Sequence, residues 1–288
     1  MIDIQKKPDE RGIALDQVGV SGLRHPIVVL DRQNKLQNTV ANLSMSVDLP
    51  EHFKGTHMSR FIEVLNQHHG EVTMRTLPVI LQELRERLEA ERARIEVHFP
   101  YFLERKAPMS GATGLMDYEC HFIGELGEGD QDFTLGVRVP VTSLCPCSKA
   151  ISDYGAHNQR GEILLEVRSM GTASGQPELI WIEELIELAE QSASSALYPL
   201  LKREDERFVT MWAYDHPVFV EDMVRNVAGR LMDDPRVAWF HIHAENQESI
   251  HNHSAFAKLN WTRMETMNSN QGSQSKPIGA SASRSPDN

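Results

Sequence analysis

The order of two hydrophobic periodicities along the 288 residues constrains the fold of this chain more than any single motif does. From about Thr39 to Pro50, apolar residues (Val40, Leu43, Met45, Val47) alternate with polar ones, the pattern of a strand buried on one face. Arg94 to Glu104 alternates through Ile95, Val97 and Phe99, and Tyr118 to Leu126 does so more loosely. Between these strands, Met58 to His68 (Phe61, Ile62, Val64, Leu65) and a segment from about Thr76 (Leu77, Val79, Ile80, Leu81, Leu84) carry apolar residues at helical spacing.

The second half repeats the arrangement. Strands are expected over Phe133 to Leu144 and Gly161 to Ser169, then a helix from about Glu183 to Lys202. Another helix follows Pro217, with Val220, Met223, Val224, Val227, Ala228 and Leu231 as its buried stripe, and strands at Arg236 to Ala244 and Ala255 to Trp261 close the pattern. Antiparallel strands interrupted by a helix pair put the helices on one face of a sheet, an α+β fold. The reading divides the chain into an N-terminal arm (1–34), a first module (35–128), a second module with the functional loop (129–266) and a tail (267–288). That tail is rich in Ser, Asn and Gln and is expected to be disordered.

Chemistry concentrates in Ser143-Leu144-Cys145-Pro146-Cys147-Ser148-Lys149 and the following Tyr154-Gly155-Ala156-His157-Asn158-Gln159-Arg160. Two of the three cysteines sit here, separated by a proline that stops the segment continuing as a ladder strand. Thiolate plus imidazole suits zinc or a neighbouring first-row metal, and a catalytic site takes three protein ligands and keeps one position open. Cys145 or Cys147 with His157 supplies two. No Cys-x-x-Cys pair exists, which argues against a structural zinc module, and the His-x-Glu with Pro-Cys-x-x-Cys signature of zinc base deaminases is missing.

A third ligand is sought among carboxylates at helix ends. The cluster Lys202-Arg203-Glu204-Asp205-Glu206-Arg207 is read as marking the end of a helix, and Glu221 lies early in the next. Glu248 and His251 stand three apart, which on a helical turn lets a carboxylate orient an imidazole. His241 and His243 share one face of a strand.

A formal net charge of −12 disfavours a nucleic-acid partner, whose backbone needs basic surface. A small phosphorylated ligand needs only local cations, with His57, Arg60, Lys149, Arg160, Lys202 and Arg203 as candidates. Three cysteines without repeated spacing imply a reducing compartment. The absence of a signal-like start or any membrane-length apolar run points to a cytoplasmic protein without a membrane partner.

Taken together, Ser-Leu-Cys-Pro-Cys-Ser-Lys, Tyr-Gly-Ala-His-Asn-Gln-Arg, Leu-Leu-Lys-Arg-x-Asp-Glu, Phe-Val-Glu-Asp-Met-Val-Arg and Glu-Ser-Ile-His-Asn-His resemble the motifs of the type IB GTP cyclohydrolases, from about Gly19 to Trp261. The resemblance implies the tunnelling fold, with tandem antiparallel-sheet and helix-pair modules that form a barrel on oligomerisation into a homotetramer, with active sites at subunit boundaries. It implies the hydrolysis of GTP to 7,8-dihydroneopterin triphosphate and formate, the first step of tetrahydrofolate biosynthesis. One divalent metal per subunit (zinc, manganese or iron) is implied on Cys145, His157 and Glu206, with Cys147, Glu221, Glu248 and His251 in or beside the substrate pocket.

Guanine C8 is a poor electrophile, so hydrolysis there needs a nucleophile stronger than water, and a divalent metal lowers the pKa of its water to about 7. General acids and bases are then expected near His251 and Glu221. Glu248 is the candidate to accept N1–H and the exocyclic amine of guanine, although Glu221 can exchange roles with it. Cys147 donates a proton, positions substrate or ligates the metal. Lys149 and Arg160 are the nearest cations in sequence for the triphosphate. Two departures from the family pattern stand out, an insert-like loop from Gly171 to Pro177 and Gln247 where an aromatic is expected beside Glu248. Two other readings are another purine or pterin enzyme of the same fold, and a binding protein whose metal is structural.

Overall fold

A computed structural model of the protein describes residues 5, 8–68, 72–73, 75–128, 131–171 and 178–264. The expected tail at 267–288 and all but Gly171 of the insert-like loop lie outside the described residues. In chain order the elements are β1 (Leu15–Asp31), β2 (Lys35–Leu49), α1 (Met58–Gln67), α2 (Leu77–Leu88), β3 (Ala93–Lys106), β4 (Thr113–Leu126), β5 (Gln131–Leu144), α3 (Pro146–Ile151), β6 (Asn158–Ser169), α4 (Ile182–Glu190), β7 (Ser195–Ala196), α5 (Arg203–Asp215), α6 (Val220–Asp233), β8 (Val237–Gln247) and β9 (Ser254–Thr262).

The strands form one antiparallel sheet in the order β1-β2-β3-β4-β5-β6-β8-β9, with β7 paired to the end of β5. Strict alternation gives the sheet one apolar face, including Leu43, Met45 and Val47 of β2, Ile95, Val97 and Phe99 of β3, Ile163, Leu165 and Val167 of β6, and Phe240, Ile242 and Ala244 of β8. The helices press their stripes onto that face: Leu77, Ile80, Leu81 and Leu84 from α2, Leu185, Ile186 and Ala189 from α4, and Met223, Val224, Val227 and Leu231 from α6. The two layers share one continuous core.

Two buried carboxylates pin α4 to the sheet. Tyr101 and Tyr118 are partners across β3 and β4, and their hydroxyls donate to Glu183 at 2.6 Å and Glu190 at 3.0 Å. The guanidinium of Arg105 also pairs with Glu190. Burial and the neighbouring Glu183 raise the Tyr101 pKa, so the phenol stays a hydrogen-bond donor.

The structure corrects the sequence reading at two places. Residues 15–31, assigned there to an N-terminal arm, form β1 and pair with β2 from Leu15 opposite Leu49 to Asp31 opposite Lys35. Irregularities between Leu15 and Val18 and between Val20 and Leu23 break the alternation that would have signalled a strand.

The expected helix from Glu183 to Lys202 ends at Glu190. The serines that follow spend their polar groups on β5: Ser194 N–H donates to Thr142 O at 3.0 Å, and Ser194 Oγ accepts the N–H of Leu144 at 3.0 Å. Serine competes well with helix in this way. The charged cluster read as a helix end therefore begins α5. Its cap is Asp205, fully buried, which accepts the N–H groups of Lys202 (2.9 Å), Met109 (2.8 Å) and Ser110 (2.8 Å) and the Ser110 hydroxyl (2.6 Å). Burial alone would raise its pKa, but these hydrogen bonds outweigh it and hold the carboxyl below its ordinary value.

Candidate active site at the strand ends

The functional loop begins where β5 leaves the sheet. Pro146 occupies the first position of α3, where its missing N–H costs nothing, so the proline opens a short helix rather than a turn. Cys145 caps that helix: its Sγ accepts the N–H of Ser148 at 3.4 Å. After α3 the chain reverses through Gly155, whose φ of +71° favours glycine. Cys145 and His157 are then joined through their backbones, Cys145 N–H donating to His157 O at 3.1 Å. Ser148 Oγ donates to Cys145 O and accepts His157 N–H, both at 3.2 Å, and locks the pair.

His157 immediately precedes β6 and Gln159 is its second residue, so the two, two apart in extended chain, share a face. Gln159 Oε1 lies 2.8 Å from His157 Nδ1, and its Nε2 donates at 3.5 Å to both Glu248 Oε1 and Ser143 Oγ. Glu248 Oε2 stands 4.0 Å from His157 Nδ1, and both side chains are largely buried. Beneath them Ser143 Oγ donates to Val218 O and accepts Asn246 Nδ2, each at 3.1 Å. One buried hydroxyl thus ties β5, β6, β8 and the α5–α6 connection, whose ends adjoin Cys145, His157, Glu248 and Glu221.

The donor chemistry fits a divalent metal. A hydrogen-bonded thiol and an imidazole whose Nδ1 is held by an amide, leaving Nε2 for a ligand, are the first and outer shells such a site uses. Among the described residues, however, no group of three or more His, Cys, Asp and Glu side chains is gathered as a metal site. Glu206 is exposed in the first turn of α5. The contact of α3 with that helix is at its other end, where Lys149 Nζ bonds Tyr214 O and lies 4.2 Å from the centre of its ring. Eight residues of helix, about 12 Å, separate the two ends.

The remaining expected residues fall around this centre. Cys147 and Glu221 are exposed in the first turns of α3 and α6, the capping of α6 falling to Asp222, which accepts Phe219 N–H at 3.2 Å. His251 N–H donates to Glu248 O at 3.4 Å, so the expected turn exists, but the His251 ring stacks 5.0 Å from that of His253 while Glu248 turns inward to Gln159. Arg160 is exposed on the face of β6 opposite Gln159. Gln247 is exposed at the end of β8, on the face opposite buried Asn246.

The roles of Gln159 and Ser143 were not drawn from the sequence. The period of two from His157 signals the first; nothing local signals the second, whose partners lie 16, 75 and 103 residues away.

Fold and site define a two-layer α+β protein with a thiol–imidazole centre at the strand ends. Its fold is shared with urate oxidase: the enzyme from Bacillus sp. TB-90 superposes with a TM-score of 0.50 at 8% identity, covering 86% of this chain and 100% of that one. The chain belongs to the type I GTP cyclohydrolase FolE2 family, which it matches over residues 1–257. It is 54% identical to the GTP cyclohydrolase FolE2 of Nitrosococcus oceani over 257 residues, 89% of this chain and 94% of that protein. Its identity to the FolE2 of Methylococcus capsulatus is also 54%, over 89% and 93% of the two chains.

Proposed function

We propose that this GTP cyclohydrolase converts GTP to 7,8-dihydroneopterin triphosphate and formate at the ends of β5, β6 and β8. As a FolE2 family member the chain is an enzyme acting on GTP and serves folate biosynthesis, where this reaction is the first step. The observation that carries the choice of site is the linkage of Cys145 and His157 through their backbones beside an inward-turned Glu248.

Cys145 Sγ and His157 Nε2 hold a divalent cation (zinc, manganese or iron), with Glu206 as the third ligand. When bound, that ion supplies Lewis acidity and lowers the pKa of water at guanine C8 to about 7. Glu248, fixed by Gln159, accepts N1–H and the exocyclic amine of guanine, a pair of donors that matches a carboxylate. Glu221 and His251 move protons to and from the opening imidazole ring, and exposed Cys147 is accessible to the same substrate. Lys149 releases Tyr214 to meet the triphosphate, together with Arg160.

The exposure of Glu206, Glu221 and Arg160 supports completion of each site at a boundary between copies. β1 and β9 are the outer strands of the sheet, which suits closure into a barrel within a homotetramer. No helix among the described residues is long and apolar enough to cross a membrane, and a cytoplasmic setting suits the reduced thiols.

The test is to chelate the protein, restore zinc, manganese or iron(II) separately, and follow formate together with pterin fluorescence from GTP. Metal-dependent formation of both products is expected. Formate without pterin would move the protein to an enzyme that stops at ring opening, and neither product with any metal would overturn the proposal.

A further inference from the structure

The carboxamide of Gln159 has only one orientation compatible with its neighbours. Its amino side faces Glu248 Oε1 and Ser143 Oγ, each at 3.5 Å, and its oxygen faces His157 Nδ1 at 2.8 Å. A flipped amide would set its oxygen against the Glu248 carboxylate, an acceptor facing an acceptor. The Ser143 hydroxyl is itself fixed, since its proton goes to Val218 O at 3.1 Å and leaves it an acceptor toward Gln159. With the oxygen of Gln159 aimed at Nδ1, that nitrogen carries a proton, and the tautomer this selects has its lone pair at Nε2.

We infer that Gln159 is a positioning residue that couples the substrate-anchoring carboxylate Glu248 to the metal-ligating tautomer of His157. Gln159 is itself buried, at 7% exposure, so solvent does not substitute for either contact. The inference rests on the reading above, in which His157 holds the cation and Glu248 holds guanine. It adds that one amide serves both, and that its two halves separate by substitution. Gln159→Glu keeps an acceptor for His157 and removes the donor to Glu248. Gln159→Met, similar in length and apolar, removes both.

Two quantities decide the matter: the Zn2+ affinity of the metal-stripped protein, by competition with a chromophoric chelator and without GTP, and the KM for GTP of the reloaded enzyme. Gln159→Met is expected to lose about 10- to 100-fold in Zn2+ affinity, the usual cost of removing the partner of a ligating histidine. Gln159→Glu is expected to stay within a few-fold of the parent in Zn2+ affinity while its KM rises about tenfold or more through like-charge repulsion. A residue that merely packs would lower the melting temperature and produce no such split. The inference is overturned if Gln159→Glu loses Zn2+ as Gln159→Met does, or if neither variant changes Zn2+ affinity. Should Gln159→Met fail to fold, Gln159→Leu takes its place in the Zn2+ comparison, and an unchanged KM in Gln159→Glu would by itself overturn the coupling to Glu248. His157→Ala separates the two levels of the argument: unchanged Zn2+ affinity there would sink the metal-ligand assignment on which the inference rests, whereas Zn2+ loss in His157→Ala with none in Gln159→Met would sink the role of Gln159 alone.

Discussion

The imidazole of His121 lies across Gly136 on the neighbouring strand and reaches Glu166 on the strand beyond, with Nε2 2.9 Å from Oε1. A Cβ at position 136 would stand 2.0 Å from His121 Cε1. Gly136→Ala therefore displaces the ring and breaks its bond to Glu166. The expected cost is about 1–3 kcal/mol in chemical denaturation. In a His121→Ala background the same substitution should cost far less, and an equal cost in both backgrounds would show that the ring is not what the glycine accommodates.

Asp205 and Glu206 are neighbours in sequence with opposite tasks, one buried under hydrogen bonds and one exposed. The folded pKa of Asp205 is lowered, so its contribution to stability is present above the unfolded value of about 3.9 and is lost as pH falls through the folded value. Asp205→Asn should lower Tm at neutral pH, and the loss should shrink as pH falls below about 4. A Tm deficit that stays constant from neutral pH to pH 3 would contradict this account.

The buried contact between Tyr101 and Glu183 is expected to serve stability alone. Tyr101→Phe removes the donor 2.6 Å from Oε1 of Glu183, a carboxylate whose other oxygen is already buried without a partner among the described residues. A loss of about 1–3 kcal/mol is expected, with kcat/KM for GTP unchanged. A fall in kcat/KM beyond a few-fold at a temperature where the variant is folded would place this pair in the catalytic machinery.

Because the core is continuous without the strand-end loop, removing the metal should silence the enzyme and leave it folded. Circular dichroism is expected to be unchanged on chelation while formate release stops. Cys145→Ala and His157→Ala should each lower kcat/KM by on the order of a thousandfold, about 4 kcal/mol of transition-state stabilisation. Unfolding on chelation would favour a structural metal instead.

Sequence alone determined the strand and helix register wherever a periodicity ran unbroken, as in β3 and α6, because burial on one face imposes a period of two or 3.6 directly on residue type. It also carried the resemblance to the family, in motifs that include the Cys-Pro-Cys and His-Asn-Gln segments. Tertiary structure decided the rest. The bulges hid β1, whose partner begins four residues beyond its end. The break after Glu190 depends on Ser194 meeting β5 some 50 residues earlier, and the division of labour between Asp205 and Glu206 depends on a hairpin 95 residues away. Gln159 gains its place between His157 and Glu248 only when β6 and β8 lie side by side. Periodicity is a local record of burial, whereas the partner of a buried polar group is set by which strands the fold makes neighbours.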